Sequence, residues 1–390
     1  MGDTLRASVP PFLRALVSPL LDRPAVVETR ATCDDCQMCD HGQVPEGVRA
    51  TFFRPETKCC TFQPHLPNYH VGAILADTRE ELREGQARVR EQIRQGIGVT
   101  PHHLGPSRKW TLLYTASSHE SFGRTSALVC PYLDGGRCSI WHHREVVCST
   151  YYCKVDGGAP GKRFWVALKD YLTHVERELM RWSASQVAGS EVNQPKVREG
   201  KLHLHELEDR RPPDEMYRAT WGSWATREEE FYIACYERVR SLDRAGYARI
   251  VEETKEGRAL LGRLKSARDA LDVQTKLPER LVLHKSLRSL PVIQGGVLVT
   301  TPYNAYDSFN LEPELYEILG KFQPTTTVAA TRKQLADEQG IEFDDALLTH
   351  LHRHEILVTA HAPPEGGTCD ETEGPRAAQV CGTGRSNTRS

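Results

Sequence analysis

Residues 130–153 read CPYLDGGRCSIWHHREVVCSTYYC, and the meaning of this stretch governs the rest of the chain. Cys130, Cys138, Cys148 and Cys153 stand here at successive gaps of seven, nine and four residues. Upstream lies a denser group, Cys33-Asp-Asp-Cys36-Gln-Met-Cys39, followed after nineteen residues by Cys59-Cys60. Nine of the twelve cysteines therefore fall within 121 residues. A C-x2-C pair sets two sulfurs on one side of a tight turn, and a third cysteine at the same spacing suits three corners of a cubane. Nine thiolates exceed the four that one tetrahedral zinc takes, so the count predicts two sites or a polynuclear centre.

Composition narrows the classes of function. The chain has 390 residues, 39% hydrophobic and 26% charged, enough apolar surface for real cores in about two to three domains. Lys plus Arg (50) nearly cancels Asp plus Glu (52), so there is no global basic field, and nucleic acid is not an expected partner. The longest charge-free stretch, Ser289 to Tyr306, is broken by Pro291, Gly295, Gly296 and Pro302 and cannot span a membrane as a helix. The first residues carry no continuous apolar run of the secretory kind, so a cytoplasmic setting is expected, where clustered thiols mean metal or catalysis rather than disulfides. No Gly-rich phosphate loop, nucleophile elbow or HExxH motif offers other chemistry.

The chain reads as an α+β, helix-rich protein: a loop-rich cysteine-cluster metal domain, a helical middle and a C-terminal winged-helix-like module. Residues 1–30 suggest an amphipathic leader helix on Phe12, Leu13, Leu16, Val17 and Leu20. Residues 31–183 form the cysteine domain. Within it, Thr78-x-x-Glu81 is a capping-box pattern that opens a helix to Gly96. Lys109 to Ala116 reads as a strand. Phe164, Leu168, Tyr171, Leu172, Val175, Leu179 and Trp182 make a helical stripe that should back the metal site. A polar linker follows over 184–213, and a helical region over 214–275 opens with a second capping box, Thr226-x-x-Glu229. Cys235 lies on its apolar stripe and reads as a small buried hydrophobe. Residues 281–361 give strands, then helices at Pro313–Phe322, Val328–Gln339 and Asp344–His354, then a short strand. Residues 362–390, with Cys369 and Cys381, have the composition of a disordered tail.

Cys130-Pro-Tyr-Leu-Asp-Gly-Gly-Arg-Cys138-Ser-Ile-Trp-His-His-Arg144, with Cys148 and Cys153 beyond it, resembles the YkgJ-like CxxCxxCC family of cysteine-cluster proteins, described as a zinc- or iron-chelating domain. The first half matches through Cys33, Cys36 and Cys59-Cys60. This sequence departs from the pattern in the long Cys39–Cys59 insertion, in Glu145 where proline is usual, and in Ser149 where a basic residue is common. Flagellin lysine N-methylases carry a similar cluster, and C-x2-C-x2-C with a remote Cys-Pro also resembles bacterial ferredoxins. The resemblance implies a metal set drawn from Cys33, Cys36, Cys39, Cys59, Cys60, Cys130, Cys138, Cys148 and Cys153. One or two iron-sulfur clusters are expected, with zinc as the alternative. Arg144 is expected to offset thiolate charge around the cofactor. No catalytic residue is assigned.

His65, His70, His142 and His143 lie close to these cysteines in sequence and are candidate ligands. His203, His205, His350, His352 and His354 are expected to be solvated. Residues 281–361 resemble the small PqqD-like winged-helix modules that recognise precursor peptides by strand addition, which implies a peptide or protein substrate as partner. The third helix offers Arg353 and neutral histidines, too few cations for DNA. If the metal is iron, the expectation is a redox or group-transfer enzyme acting on a peptide or protein side chain. If it is zinc, it is a binding or adaptor protein.

Overall fold

The computed structural model describes residues 4–39, 52–189, 202–273, 276–291 and 296–360. The tail expected over 362–390, most of the insertion between Cys39 and Cys59, and the middle of the expected linker lie outside the described residues.

The chain opens with three 3-10 turns, Leu5–Ser8, Pro11–Leu13 and Pro19–Asp22, in place of the expected leader helix. Pro10, Pro11 and Pro19 lack the N–H that a continuous helix needs and fix their own φ. Leu5, Leu13, Val17 and Leu21 are nevertheless fully buried. After the first cysteines, β1 (Leu66–Pro67) leads into α1 (Asn68–Ala76) and α2 (Arg83–Gln95), and β2 (His103–Leu104) returns antiparallel to β1. Thr78 does not cap α2; a 3-10 turn, Glu80–Leu82, precedes that helix. The segment expected as a strand at Lys109 is α3 (Arg108–Ser121). Ser107 accepts the Trp110 amide as its N-cap, and Trp110 stacks on Tyr114 one turn later with ring centroids 4.9 Å apart.

The stretch 130–153 forms a small hairpin, β3 (Leu133–Asp134) and β4 (Arg137–Cys138), and then α4 (Val146–Thr150). Behind it runs α5 (Gly158–Ala188), whose apolar stripe continues past Trp182 to Ala184 and Ala188. Four further helices follow: α6 (Leu204–Leu207), α7 (Asp214–Trp221), α8 (Glu228–Arg240) and α9 (Arg244–Tyr247). A single π turn, Ala248–Glu252, then leads into α10 (Lys255–Asp272). At the start of α8 it is Glu228, not Glu229, that accepts the Thr226 amide, at 2.9 Å. One buried cluster joins Leu66, Tyr69, Phe164 and Leu168 to Trp221, Phe231, Tyr232 and Leu264. The helices after residue 214 therefore complete the core of the cysteine-bearing part instead of building their own.

The C-terminal unit has a separate buried cluster around Val299, Leu319, Phe322, Leu335, Leu348 and Ile356. Here β5 (Leu281–Leu283) pairs antiparallel with β9 (Leu357–Thr359), and β6 (Arg288–Pro291), β7 (Val297–Thr301) and β8 (Asn304–Leu311) make an antiparallel meander. Helices α11 (Pro313–Leu319), α12 (Val328–Gln339) and α13 (Asp345–Arg353) lie between β8 and β9. The protein is thus helix-rich with small sheets. Among the described residues no helix is long and apolar enough to cross a membrane.

Candidate metal centre

The thiols come from separate segments, loops for most of them, β4 for Cys138 and α4 for Cys148, and backbone hydrogen bonds fasten the loops to one another. The Cys39 amide closes a turn on the Cys36 carbonyl, the Phe53 amide reaches the Met38 carbonyl at 2.6 Å, and the Cys130 amide reaches the Cys60 carbonyl at 2.8 Å. Gly123 ties the loop of Cys59-Cys60 to the end of α3: its carbonyl accepts Arg54 and Thr57, and its amide donates to Thr61 Oγ1. Its φ is +73°, and a Cβ there would lie 2.1 Å from the Phe53 ring. Only glycine fits.

A cavity of about 540 Å³ opens between these loops, lined by Cys33, Cys59, Cys60, Cys130, Cys138 and Cys148. Its walls are aromatic, with Phe62, Tyr114, Phe122, Tyr132, Trp141, Tyr151 and Tyr152, and its charged groups are Asp34, Arg144 and Glu145. Arg144 is held in place rather than splayed into solvent. Its guanidinium lies 3.4 Å over the Trp141 ring, Nε donates to the Trp141 carbonyl and Nη1 to the Cys148 carbonyl at 3.3 Å. Its positive charge favours the thiolate forms of Cys33, Cys60, Cys138 and Cys148. Glu145, the residue standing where the family pattern has proline, caps α4 by accepting the Val147 amide. Burial pushes its carboxyl up to about 7.

The thiols differ in poise. Cys60 is brought down to about 7, chiefly by the hydrogen bond with Cys59, with Lys58 and Arg144 assisting against burial. Burial pushes Cys130 up to about 12 and Cys153 up to about 11, and it raises Cys33 and Cys138. Cys39 is raised to about 12 by burial and by neighbouring Cys36. Among the described residues no three His, Cys, Asp or Glu side chains close on one point at the spacing of a single metal ion. The donor set nevertheless has the chemistry of a soft-metal or iron-sulfur site: rich in sulfur, largely desolvated, with the cations Lys58 and Arg144 beside it.

None of the four candidate histidines lines the cavity. His65 packs edge-on against His103. His142 and His143 turn away to Glu81 and Asp77, with Nε2 at 2.9 and 2.8 Å from the carboxylate oxygens. His70 is fully buried beside the His143 carbonyl and Glu176 of α5, and burial lowers it to about 3, so it is neutral. Cys235 is buried in the main core, as expected of a small hydrophobe. The aromatic walls and Glu145 were not legible as site residues. A hint lay in Tyr151-Tyr152 directly before Cys153 and in Trp141 three residues after Cys138.

The C-terminal unit also reaches this region, against expectation. His354, expected to be solvated, is 1% exposed, bonded to the Val155 carbonyl and packed at a tilt against His350 with centroids 4.1 Å apart. Arg30 links the two units, 3.1 Å from Asp156 and 3.1 Å from the buried Asp307 of β8, with Phe309 beneath its guanidinium. Gly158, at φ +62°, lets the Arg353 carbonyl approach so closely that a Cβ would sit 2.3 Å from it. In comparisons with known proteins, no family profile, curated protein or solved structure matches the chain.

Proposed function

We propose that this is a cytoplasmic metal-cluster protein of the YkgJ-like kind, in which the nine thiols between Cys33 and Cys153 hold iron-sulfur clusters. The single observation that carries the reading is the convergence of six of these sulfurs, from five segments of the chain, around one aromatic-walled cavity with Arg144 fixed beside it. An iron-sulfur cluster would supply electron transfer or Lewis acidity to a bound substrate. The chain's own part is separate from that chemistry. Arg144 offsets thiolate charge, the aromatic walls exclude water, and the cavity beside the thiols leaves room for a substrate group, as a redox or group-transfer enzyme acting on a peptide or protein side chain requires.

The C-terminal unit is proposed as a winged-helix-like, peptide- or protein-binding module, and the geometry narrows where a peptide strand could add. The outer edge of β8 is taken by Lys154, whose Nζ donates to the carbonyls of Ser308 at 3.0 Å and Tyr306 at 3.4 Å. Among the described residues, the other edge of the meander is β6, with no strand paired to its outer side. Nucleic acid remains the disfavoured partner, because α13 offers one arginine, and Arg353 Nη2 already donates to the Leu271 carbonyl.

Protein purified without air should be brown, contain iron and acid-labile sulfide, and bleach on exposure to air. Cys138→Ser should bind less metal and be less soluble than wild type, since metal ligation is folding free energy for a segment rich in loops. Cys235→Ser should keep its metal. Colourless protein with stoichiometric zinc would replace this reading with the zinc-stabilised adaptor. Full iron content in Cys138→Ser would remove the thiols from the site.

A further inference from the structure

The nine thiols do not share one environment. Cys36 and Cys39 are buried with Met38 and Phe53 in a small cluster of their own, and Cys59, Cys153, Phe122 and Tyr306 pack onto it. Cys130 belongs to the main core, where Cys60 and Cys138 pack beside it, and these three line the cavity together with Cys33 and Cys148. The charges of the thiolates follow this grouping except at Cys33, which feels both Cys60 and Cys36. Cys39 and Cys153 feel Cys36, whereas Cys148 feels Cys130 and Cys138. Cys59 sits at the boundary, bonded to Cys60 and reaching the wall of the cavity.

The smaller group is covered by the tip of the β7–β8 hairpin. The Tyr306 ring rests 5.3 Å from Phe53 and 5.6 Å from Phe122, centroid to centroid. Asn304 Nδ2 donates to the carbonyl of Cys153 itself at 3.0 Å. The next residues along are pinned as well: Lys154 to two carbonyls of β8, and the Val155 amide to Asp307 Oδ2 at 3.2 Å. Tyr303 in turn donates to Asp307 at 2.6 Å. Among the described residues, none from this hairpin lines the cavity on which the other thiols lie.

We propose that the protein has two metal sites of different kinds: a closed four-thiol site of Cys36, Cys39, Cys59 and Cys153, sealed by the hairpin carrying Asn304 and Tyr306, and an open site on the cavity among Cys33, Cys60, Cys130, Cys138 and Cys148. Four thiols fill every corner of a cubane, whose sulfurs stand farther apart than around a single ion, so the closed site has no vacancy for substrate. Its chemistry is storage or transfer of electrons, or support of the fold. Substrate meets the other site. The C-terminal unit is then a structural part of the closed site, and lifting it exposes that site to solvent and oxygen.

The proposal rests on the metal reading of the thiols, and its test separates the two. Full-length protein, loaded without air with iron and sulfide, is exposed to air and to a chelator while bound metal is followed. The wild type should lose metal in a fast and a slow phase. Tyr306→Ala should speed the slow phase about tenfold, the effect of losing roughly 1.4 kcal/mol of closed-state stability, and leave the fast phase unchanged. Tyr306→Phe, which keeps the ring, should behave as wild type, and Asn304→Ala should repeat Tyr306→Ala if the latter does not fold. Cys153→Ser should abolish the slow phase and Cys138→Ser the fast one. A wild type that binds no metal sinks the metal reading and this proposal with it. A wild type that binds metal but loses it in one phase, or variants that alter both phases alike, overturns the division into two sites alone.

Discussion

The helices of residues 214–272 and the C-terminal unit of residues 281–360 both pack on the cysteine-bearing part, but by different physics. The first contact is an apolar merger: Trp221, Phe231, Tyr232 and Leu264 belong to the same buried cluster as Phe164 and Leu66. The second joins two separate cores through directional polar contacts, Arg30 to Asp307, Lys154 to the β8 carbonyls, Asn304 to Cys153, with Tyr306 as the main ring between them. An apolar merger unfolds as one unit, whereas a polar dock between complete cores can open while both stay folded.

The comparison breaks most visibly at Phe231, which is fully buried on α8. Phe231→Ala should cost about 3–5 kcal/mol, as removal of a buried phenyl ring does. The loss should appear as a shift of a single unfolding transition, followed in denaturant by the fluorescence of tryptophans from both segments. A separate early transition for residues 214–272, with the cysteine-bearing part unaffected, would show that the two segments have separate cores.

A smaller effect of another kind is expected at Gly158. An alanine there must hold a left-handed backbone and press a Cβ against the Arg353 carbonyl, together about 2–4 kcal/mol. Undocking relieves the clash but not the backbone strain, so Gly158→Ala should release the C-terminal unit before either core melts. Limited proteolysis between residues 273 and 281 should then yield a folded C-terminal fragment, and cleavage no faster than in wild type would count against a separable dock.

The same contrast explains what the sequence made legible. The stripe from Phe164 to Trp182, the three C-terminal helices and the cysteine constellation could be read because each depends on local spacing. The dock was hidden because its members, Arg30, Lys154, Asn304 and Asp307, are polar residues that look solvated until a partner far along the chain meets them. His354 deceived for that reason, whereas His350, one turn earlier, is exposed as its position suggested. The α3 segment deceived differently. Trp110-Thr-Leu-Leu-Tyr is β-prone in composition, yet no strand is placed to pair with it, and the Ser107 cap and the Trp110–Tyr114 stack favour the helix. The aromatic walls of the cavity carry no periodic signal, since they come from loops brought together only by the fold.

The smallest expected effect concerns pH and lies on the merged side of the comparison. His70 is surrounded by the His143 carbonyl, the Glu176 carboxyl from α5, and the rings of Tyr69 and Phe12. Burial holds its folded pKa near 3, below the ordinary 6.5. The unfolded chain therefore binds a proton that the folded chain refuses, and stability from this group is complete above about 6.5 and is lost as pH falls toward 3. Glu176 has the opposite tendency, its carboxyl raised by burial, but it is present in wild type and variant alike. Between pH 7 and pH 5 the wild type should lose about 2 kcal/mol that His70→Gln does not lose, since each unit below 6.5 is worth roughly 1.4 kcal/mol. Denaturant unfolding of both proteins at the two pH values measures the difference directly. Equal pH slopes would mean that His70 is reached by water in the folded protein, and that the merged core is looser around α1 than its packing indicates.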